Sequence, residues 1–181
     1  DLTMPPWWRL YFRTILVSFK SGSRGECVKR KGNLLEREGE GSRIRAREYA
    51  LMLLEYRERS EEEIKEKMIR KNFEEGLIRS TIKFLKGHDL VNDRRFARMW
   101  TESCLRRSYG RWKVQTDLDK KGISEDIVEE VLGESYSKVD ELQIALAMIQ
   151  KKWPSLKEER NARSRRVSDF LKRRGFPFEV I

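Results

Sequence analysis

Few residues of this 181-residue chain have a type and spacing that could support catalysis. Its single histidine, His88, stands between Gly87 and Asp89 and reads as loop or helix cap. The two cysteines, Cys27 and Cys104, are too few to build a disulfide scaffold, and a reduced compartment is the simpler reading. One histidine and two cysteines with no pair at ligand spacing argue against a structural zinc site. A Ser-His or Cys-His nucleophile arrangement lacks parts for the same reason. No GxxxxGK[ST] phosphate loop occurs, and neither Gly22–Gly25 nor Gly39–Ser42 sits between a strand and a helix. The carboxylates come in runs, Glu61-Glu62-Glu63 and Glu129-Glu130, the usual make-up of a solvated helix face. The chain does not read as an enzyme, and no cofactor or metal is expected.

The cations are the other chemically capable group. Forty Lys and Arg against thirty Asp and Glu give a net charge of +10 and a pI of about 9.7. A polyanion, or a protein that itself holds one, is the expected partner. Both flanks carry the excess: residues 1–45 hold ten basic and five acidic residues, and residues 154–176 hold eight and three. Residues 46–153 are balanced at 22 and 21.

Composition says what must position these charges. With 39% charged and 38% hydrophobic residues, and a mean hydropathy of −0.75, exposed helices around thin cores suit the chain better than a sandwich or barrel. From Ala46 onward apolar residues recur at i, i+3 and i+4, as in Phe96-Trp100-Cys104 and Leu142-Ala145-Leu146-Ile149. Phe96, Trp100 and Cys104 share one stripe and read as core. Ser60 followed by Glu63 is a capping box; Ser124 and Ser137 precede acidic first turns, and Asn92 or Asp93 opens the helix carrying Phe96.

Residues 1–45 read differently, as an extension or linker, poorly ordered or serving as a targeting peptide. Met4–Phe19 is aromatic and Arg-bearing, and its apolar run Leu10–Phe19 is cut by Arg13 and too short to span a membrane. The stretches from Lys20 to Asn33 and from Glu36 to Ser42 read as loop, with glycines, charges and no apolar period.

Self-comparison exposes a repeat. Met68–Phe73, Leu118–Ile123 and Leu171–Phe176 match: an apolar helix end, a basic pair opposing the helix dipole, then Asn or Gly, then an apolar residue. Asn72, Gly122 and Gly175 sit where a left-handed residue ends a helix. Successive copies begin about 50 residues apart, which is room for three helices of average length per unit. The expected fold is therefore all-α, tandem three-helix repeats stacked as a curved solenoid. The modules are expected at about 46–91, 92–136 and 137–181; the third unit stops at Ile181 where its last helix should begin, so either that module is incomplete or the chain is cut short.

The repeat resembles a known family. Ala50–Ile64, Asp93–Ala97, Tyr109–Val114, Leu118–Ile123 and Arg173–Phe176 are similar, in order and spacing, to the motifs of the RecX regulatory proteins. The resemblance covers residues 46–181 and not 1–45; Asn72 stands where the family has Gly. It implies a non-catalytic, monomeric protein that binds the RecA-type recombinase filament and restrains its ATPase and strand-exchange activity. It also implies contact with single-stranded DNA, directly or through the filament, and a place in homologous recombination, DNA repair and the SOS response. No membrane partner is implied. The compartment expected is the cytoplasm, or a plastid or mitochondrion if residues 4–27 are a transit peptide.

The filament- or DNA-binding residues expected on this reading are Arg106, Arg107, Arg111, Lys113, Lys120, Lys121, Arg173 and Arg174, with Arg70-Lys71 as the first-repeat equivalent. Arg163, Arg165 and Arg166 form either a solvated face or a second strip, and Tyr109 and Trp112, flanking Gly110 among cations, are open to a contact role. The alternative is a basic helical nucleic-acid-binding module that acts without a recombinase.

Overall fold

The computed structural model describes residues 34–137, 139–153 and 160–181, and every regular element among them is helical. The helices are α1 Leu34–Tyr56, α2 Glu61–Arg70, α3 Glu75–Gly87, α4 Asp93–Arg106, α5 Arg111–Asp119, α6 Glu125–Tyr136, α7 Glu141–Lys152 and α8 Arg160–Arg174. A 3-10 turn at Phe178–Val180 follows. The expectations for Met4–Phe19, for a targeting segment at 4–27 and for Cys27 lie outside the described residues. The chain divides into two compact units at Asn92/Asp93.

In the first unit α1, α2 and α3 enclose Ala50, Leu51, Leu54, Ile64, Met68 and Leu85, all but fully buried. The turn joining α1 to α2 is itself buried. Arg57 pairs with Glu63 through both guanidinium nitrogens at 3.0 and 3.1 Å, and the Arg59 Nε–H donates to the Leu53 carbonyl at 3.1 Å. Burial holds the Arg59 guanidinium below its ordinary pKa. The expected cap at Ser60 forms, its hydroxyl accepting from the Glu63 N–H at 3.2 Å.

One expectation fails here. The stretch from Glu36 to Ser42, read as loop, belongs to α1, which starts at Leu34 despite Gly39 and Gly41. Once Ala46, Ala50 and Leu54 are anchored, each further turn only propagates a nucleated helix. The Glu and Arg residues upstream are good helix formers that offset the roughly 1 kcal/mol each glycine costs. Apolar period was the wrong signal, because exposed helical residues need none.

In the second unit α4, α5 and α6 enclose Phe96, Ala97, Val114, Leu118, Val131 and Leu132. A further core, Ala145, Phe170, Leu171 and Phe176, lies between α7 and α8. Ser137, expected to open a helix, instead follows α6 at its C-terminal end. Asp140 is the cap of α7, its carboxylate accepting from the Gln143 N–H at 3.1 Å. An Asp cap satisfies the same orphan donor as Ser, so the sequence allowed either.

The repeat is visible as three equivalent helix ends. Asn72, Gly122 and Gly175 have φ of 59°, 70° and 77°. After each, the next N–H returns to the carbonyl five residues back: Phe73 to Met68, Ile123 to Leu118 and Phe176 to Leu171, all at 3.2 Å. This bond, with the apolar residue folded onto the helix, is the Schellman arrangement. Asp89 and Ser108 make the same termination at φ of 50° and 56°. The element after each repeat cap starts at Glu75, Glu125 and Phe178, in step with the caps themselves. In the third module that element is the single 3-10 turn, with Val180 and Ile181 packed on the local core. The fold class is all-α, with tandem three-helix repeats.

Candidate functional site

The second and third modules meet through main chain. The Gly110 N–H donates to the Arg174 carbonyl at 2.9 Å, and the Trp112 N–H donates to the Gly175 carbonyl at 3.0 Å. Between them the Arg111 N–H donates to Glu141 Oε1 at 3.0 Å. The first amide groups of α5, which have no partner within their own helix, are thus satisfied by the last carbonyls of α8 and by a carboxylate at the start of α7. Positive and negative helix ends face each other, so the arrangement is favourable electrostatically as well. In the first repeat, the residue equivalent to Gly110 is Ser60, whose side chain supplies the cap. Glycine stands at 110 because the Gly175 backbone occupies the space of a side chain.

The cations gather around this seam. The Arg174 guanidinium donates to the Arg107 carbonyl at 2.8 Å and lies 4.8 Å above the Tyr109 ring, while Arg107 lies 5.7 Å from the same ring. Both placements allow the negative ring face to attract the guanidinium. Arg107 is also tied to Ser103, its Nε and Nη2 donating to the carbonyl and hydroxyl at 3.2 Å. The Tyr136 hydroxyl donates to the Tyr109 carbonyl at 2.8 Å, and burial pushes its pKa above the ordinary value. Arg106, Arg107 and Arg111 are exposed, and Trp112 is 63% exposed beside them.

The expected residues therefore fall into groups. Arg107, Arg111, Lys113 and Arg174 converge at the seam; Arg106 adjoins them on the exposed side of α4, 4.0 Å from Glu102. Lys113 is paired with Asp117, and its backbone abuts Gly175, so its charge is partly neutralised. Lys120 and Lys121 stand at the far end of α5, about 13 Å along at 1.5 Å per residue. Lys121 is turned onto Trp100, its Nζ 4.1 Å from the ring. Arg173 is exposed in the last turn of α8, and Arg165 and Arg166 are exposed earlier in it. The Arg163 side chain lies outside the described residues.

The residues read as structural behave so. Phe96 and Trp100 stack at 6.0 Å in the core, and Cys104 is a buried free thiol whose pKa burial pushes up. His88 caps α3, its Nδ1 2.8 Å from the Phe84 carbonyl oxygen. Among the described residues no three His, Cys, Asp or Glu side chains gather as metal ligands would, and no helix is long and apolar enough to cross a membrane. One residue and one contact of the seam carry no signal in the sequence. Glu141 resembles any first-turn acid, and the convergence of Arg174 on Arg107 spans 67 residues without a local signal.

Comparison with known proteins agrees with the architecture. Family models described as the first, second and third three-helix domains of RecX match residues 46–85, 92–132 and 139–181. The regulatory protein RecX of Clostridium perfringens strain SM101 is 34% identical over 139 residues, which cover 75% of this chain and 65% of that protein. The chain thus spans just under two thirds of that relative's length. The regulatory protein RecX of Chlorobium phaeobacteroides strain BS1 is 35% identical over 138 residues, covering 76% of this chain and 89% of that one. The crystal structure of RecX from Lactobacillus salivarius superposes with a TM-score of 0.67 at 20% identity, over 77% of this chain and 92% of that one. Another crystal structure of a regulatory protein RecX gives 0.72 at 18% identity, over 93% and 84%; at such identities these two show the fold alone. With three matching family domains in order, and relatives at 34% and 35% identity, the chain belongs to the RecX family of regulatory proteins.

Proposed function

We propose that the chain binds a RecA-type recombinase filament on single-stranded DNA and restrains its ATP hydrolysis and strand exchange. Membership in a family of regulatory proteins, through all three modules, carries this reading. The seam between the second and third modules supports it. Its main-chain bonds fix the backbones that carry Arg106, Arg107, Arg111 and Arg174, hydrogen bonds tie down the Arg107 and Arg174 side chains, and such a cluster of cations suits recognition of acidic protein surface or phosphate. Lys120, Lys121 and Arg173 extend the basic surface in this proposal, while Lys113 contributes less because Asp117 neutralises it. The protein acts as a monomer, in the cytoplasm, without cofactor. The test is the rate of ATP hydrolysis by recombinase on single-stranded DNA as the protein is added. A fall at substoichiometric ratios is expected, and an unchanged rate at equimolar protein would refute the reading.

The exposed Trp112 beside Arg111 favours a second reading, direct contact with single-stranded DNA by stacking and phosphate pairing without a recombinase. Salt separates the two. An effect on filaments that persists where binding to bare DNA is lost belongs to the recombinase.

A further inference from the structure

The first unit carries a groove that the filament reading does not use. It has a volume of about 700 Å³ and runs between α2 and α3, with Ile69 exposed at its side and the core residues Ile78 and Ile82, 2% and 8% exposed, at its floor. Ile69 is 54% exposed, an uncommon state for an isoleucine on a helix whose other apolar residues, Ile64 and Met68, are buried. Around these stand Lys65, Arg79, Lys83 and Lys86 against Glu61 and Glu75. Both acids are already paired, Glu61 with Lys86 at 2.8 Å and Glu75 with Arg79 at 3.3 Å. Lys65 reaches Glu62 at 3.3 Å, and the edge remains net positive with that acid counted. The groove is apolar within and cationic at its edge.

The internal repeat provides a control. One repeat further on, in the second module, the matching positions on α5 and α6 hold Arg111, Gln115, Asp119, Glu125, Glu129 and Gly133. Asp119 replaces Ile69, Gly133 replaces Lys83, and three acids now stand against one cation. Both modules share the same three-helix frame, so the frame does not require the isoleucine or the lysines. Their presence is particular to the first module.

We propose that this groove docks an acidic amphipathic helix of a partner protein. Apolar residues at i, i+3 or i+4, and i+7 would lie over Ile69, Ile78 and Ile82, with carboxylates toward Lys65 and Lys83. Charge selects this occupant. The chain's own aromatic segment Met4–Phe19 carries Arg9 and Arg13 and no carboxylate, so the basic edge disfavours it. This inference is independent of the recombinase reading and has its own readout.

The probe is a fluorescein-labelled helical peptide of about four turns, leucine on one face and glutamate with alanine on the others, titrated with the full chain by anisotropy. Saturable binding is expected, at least about tenfold tighter than for the same peptide with lysine in place of glutamate. Ile69→Asp, which copies the second module at an exposed position, should abolish binding with the circular dichroism spectrum unchanged. Lys65→Glu/Lys83→Glu should weaken binding about tenfold, and the loss should shrink as salt rises. No saturable binding, equal binding of both peptides, or indifference to Ile69→Asp would overturn the proposal. Self-association of the unmodified chain that Ile69→Asp removes would assign the groove to a second copy and overturn it too.

Discussion

Gly110 and Gly175 touch through their backbones: a Cβ built on Gly110 would overlap the Gly175 carbonyl, and one on Gly175 would lie 2.7 Å from Lys113 Cα. Gly175 also has a φ of 77°, which side-chain-bearing residues rarely adopt. These two glycines, distant in sequence, let the end of α8 reach the start of α5 and hold the arginines of the seam in place.

Substituting them should therefore be costly. Gly175→Ala combines strain with backbone overlap and should destabilise by about 2–4 kcal/mol; Gly110→Ala, free of φ strain, should cost somewhat less. Gly133→Ala is the control. That glycine is inside α6 with open space around it, so alanine should stabilise by about 0.5–1 kcal/mol. Thermal melting of the three variants would check the order, and equal melting temperatures would count against the close approach.

The repeat caps differ in residue but share conformation, which gives a paired expectation. Gly122→Ala should lose about 1 kcal/mol, because its φ of 70° disfavours a Cβ. Asn72→Gly, at φ 59°, should gain a few tenths, up to about 1 kcal/mol. Denaturant midpoints would show opposite signs at equivalent positions.

Tyr136 ties α6 to the seam through its hydroxyl. Tyr136→Phe should cost about 1 kcal/mol, the net contribution of one hydrogen bond plus an acceptor left without its donor. Burial raises the phenol's pKa in the fold, so the native state holds the proton that the unfolded chain releases near pH 10. Stability from this group is complete below pH 10 and falls as the solution becomes more alkaline. Melting followed upward from pH 9 should show that decline, and the Phe variant should show less of it.

Much of this architecture is legible in the residues, for reasons that differ by feature. Asn72, Gly122 and Gly175 announce their caps because few residue types tolerate positive φ. Asp89 and Ser108 make the same cap unannounced, since Asp and Ser are equally common elsewhere in turns. The α1 extension from Leu34 escaped notice because exposed helix carries no apolar period. The basic residues of the seam could be named one by one, yet the contact of Arg174 with Arg107 could not. Pairing over 67 residues is decided by how modules dock, which no local spacing encodes. The Ile69 groove is legible in retrospect, by setting each repeat against the next.

In the proposed function this chain restrains a recombinase filament through the cations of its seam. The direct measurement is ATP hydrolysis by a RecA-type recombinase on single-stranded DNA, titrated with the unaltered chain and with Arg107→Glu/Arg111→Glu across a range of salt. Both side chains are exposed, so the variant should keep its helical content and melt within about 1 kcal/mol of the original. The unaltered chain should slow hydrolysis at substoichiometric ratios and the variant should do so more weakly, with the difference narrowing as salt rises. Equal inhibition by both at every salt concentration would show that the seam is not the binding surface, and no inhibition by the unaltered chain at equimolar protein would refute the proposed function outright.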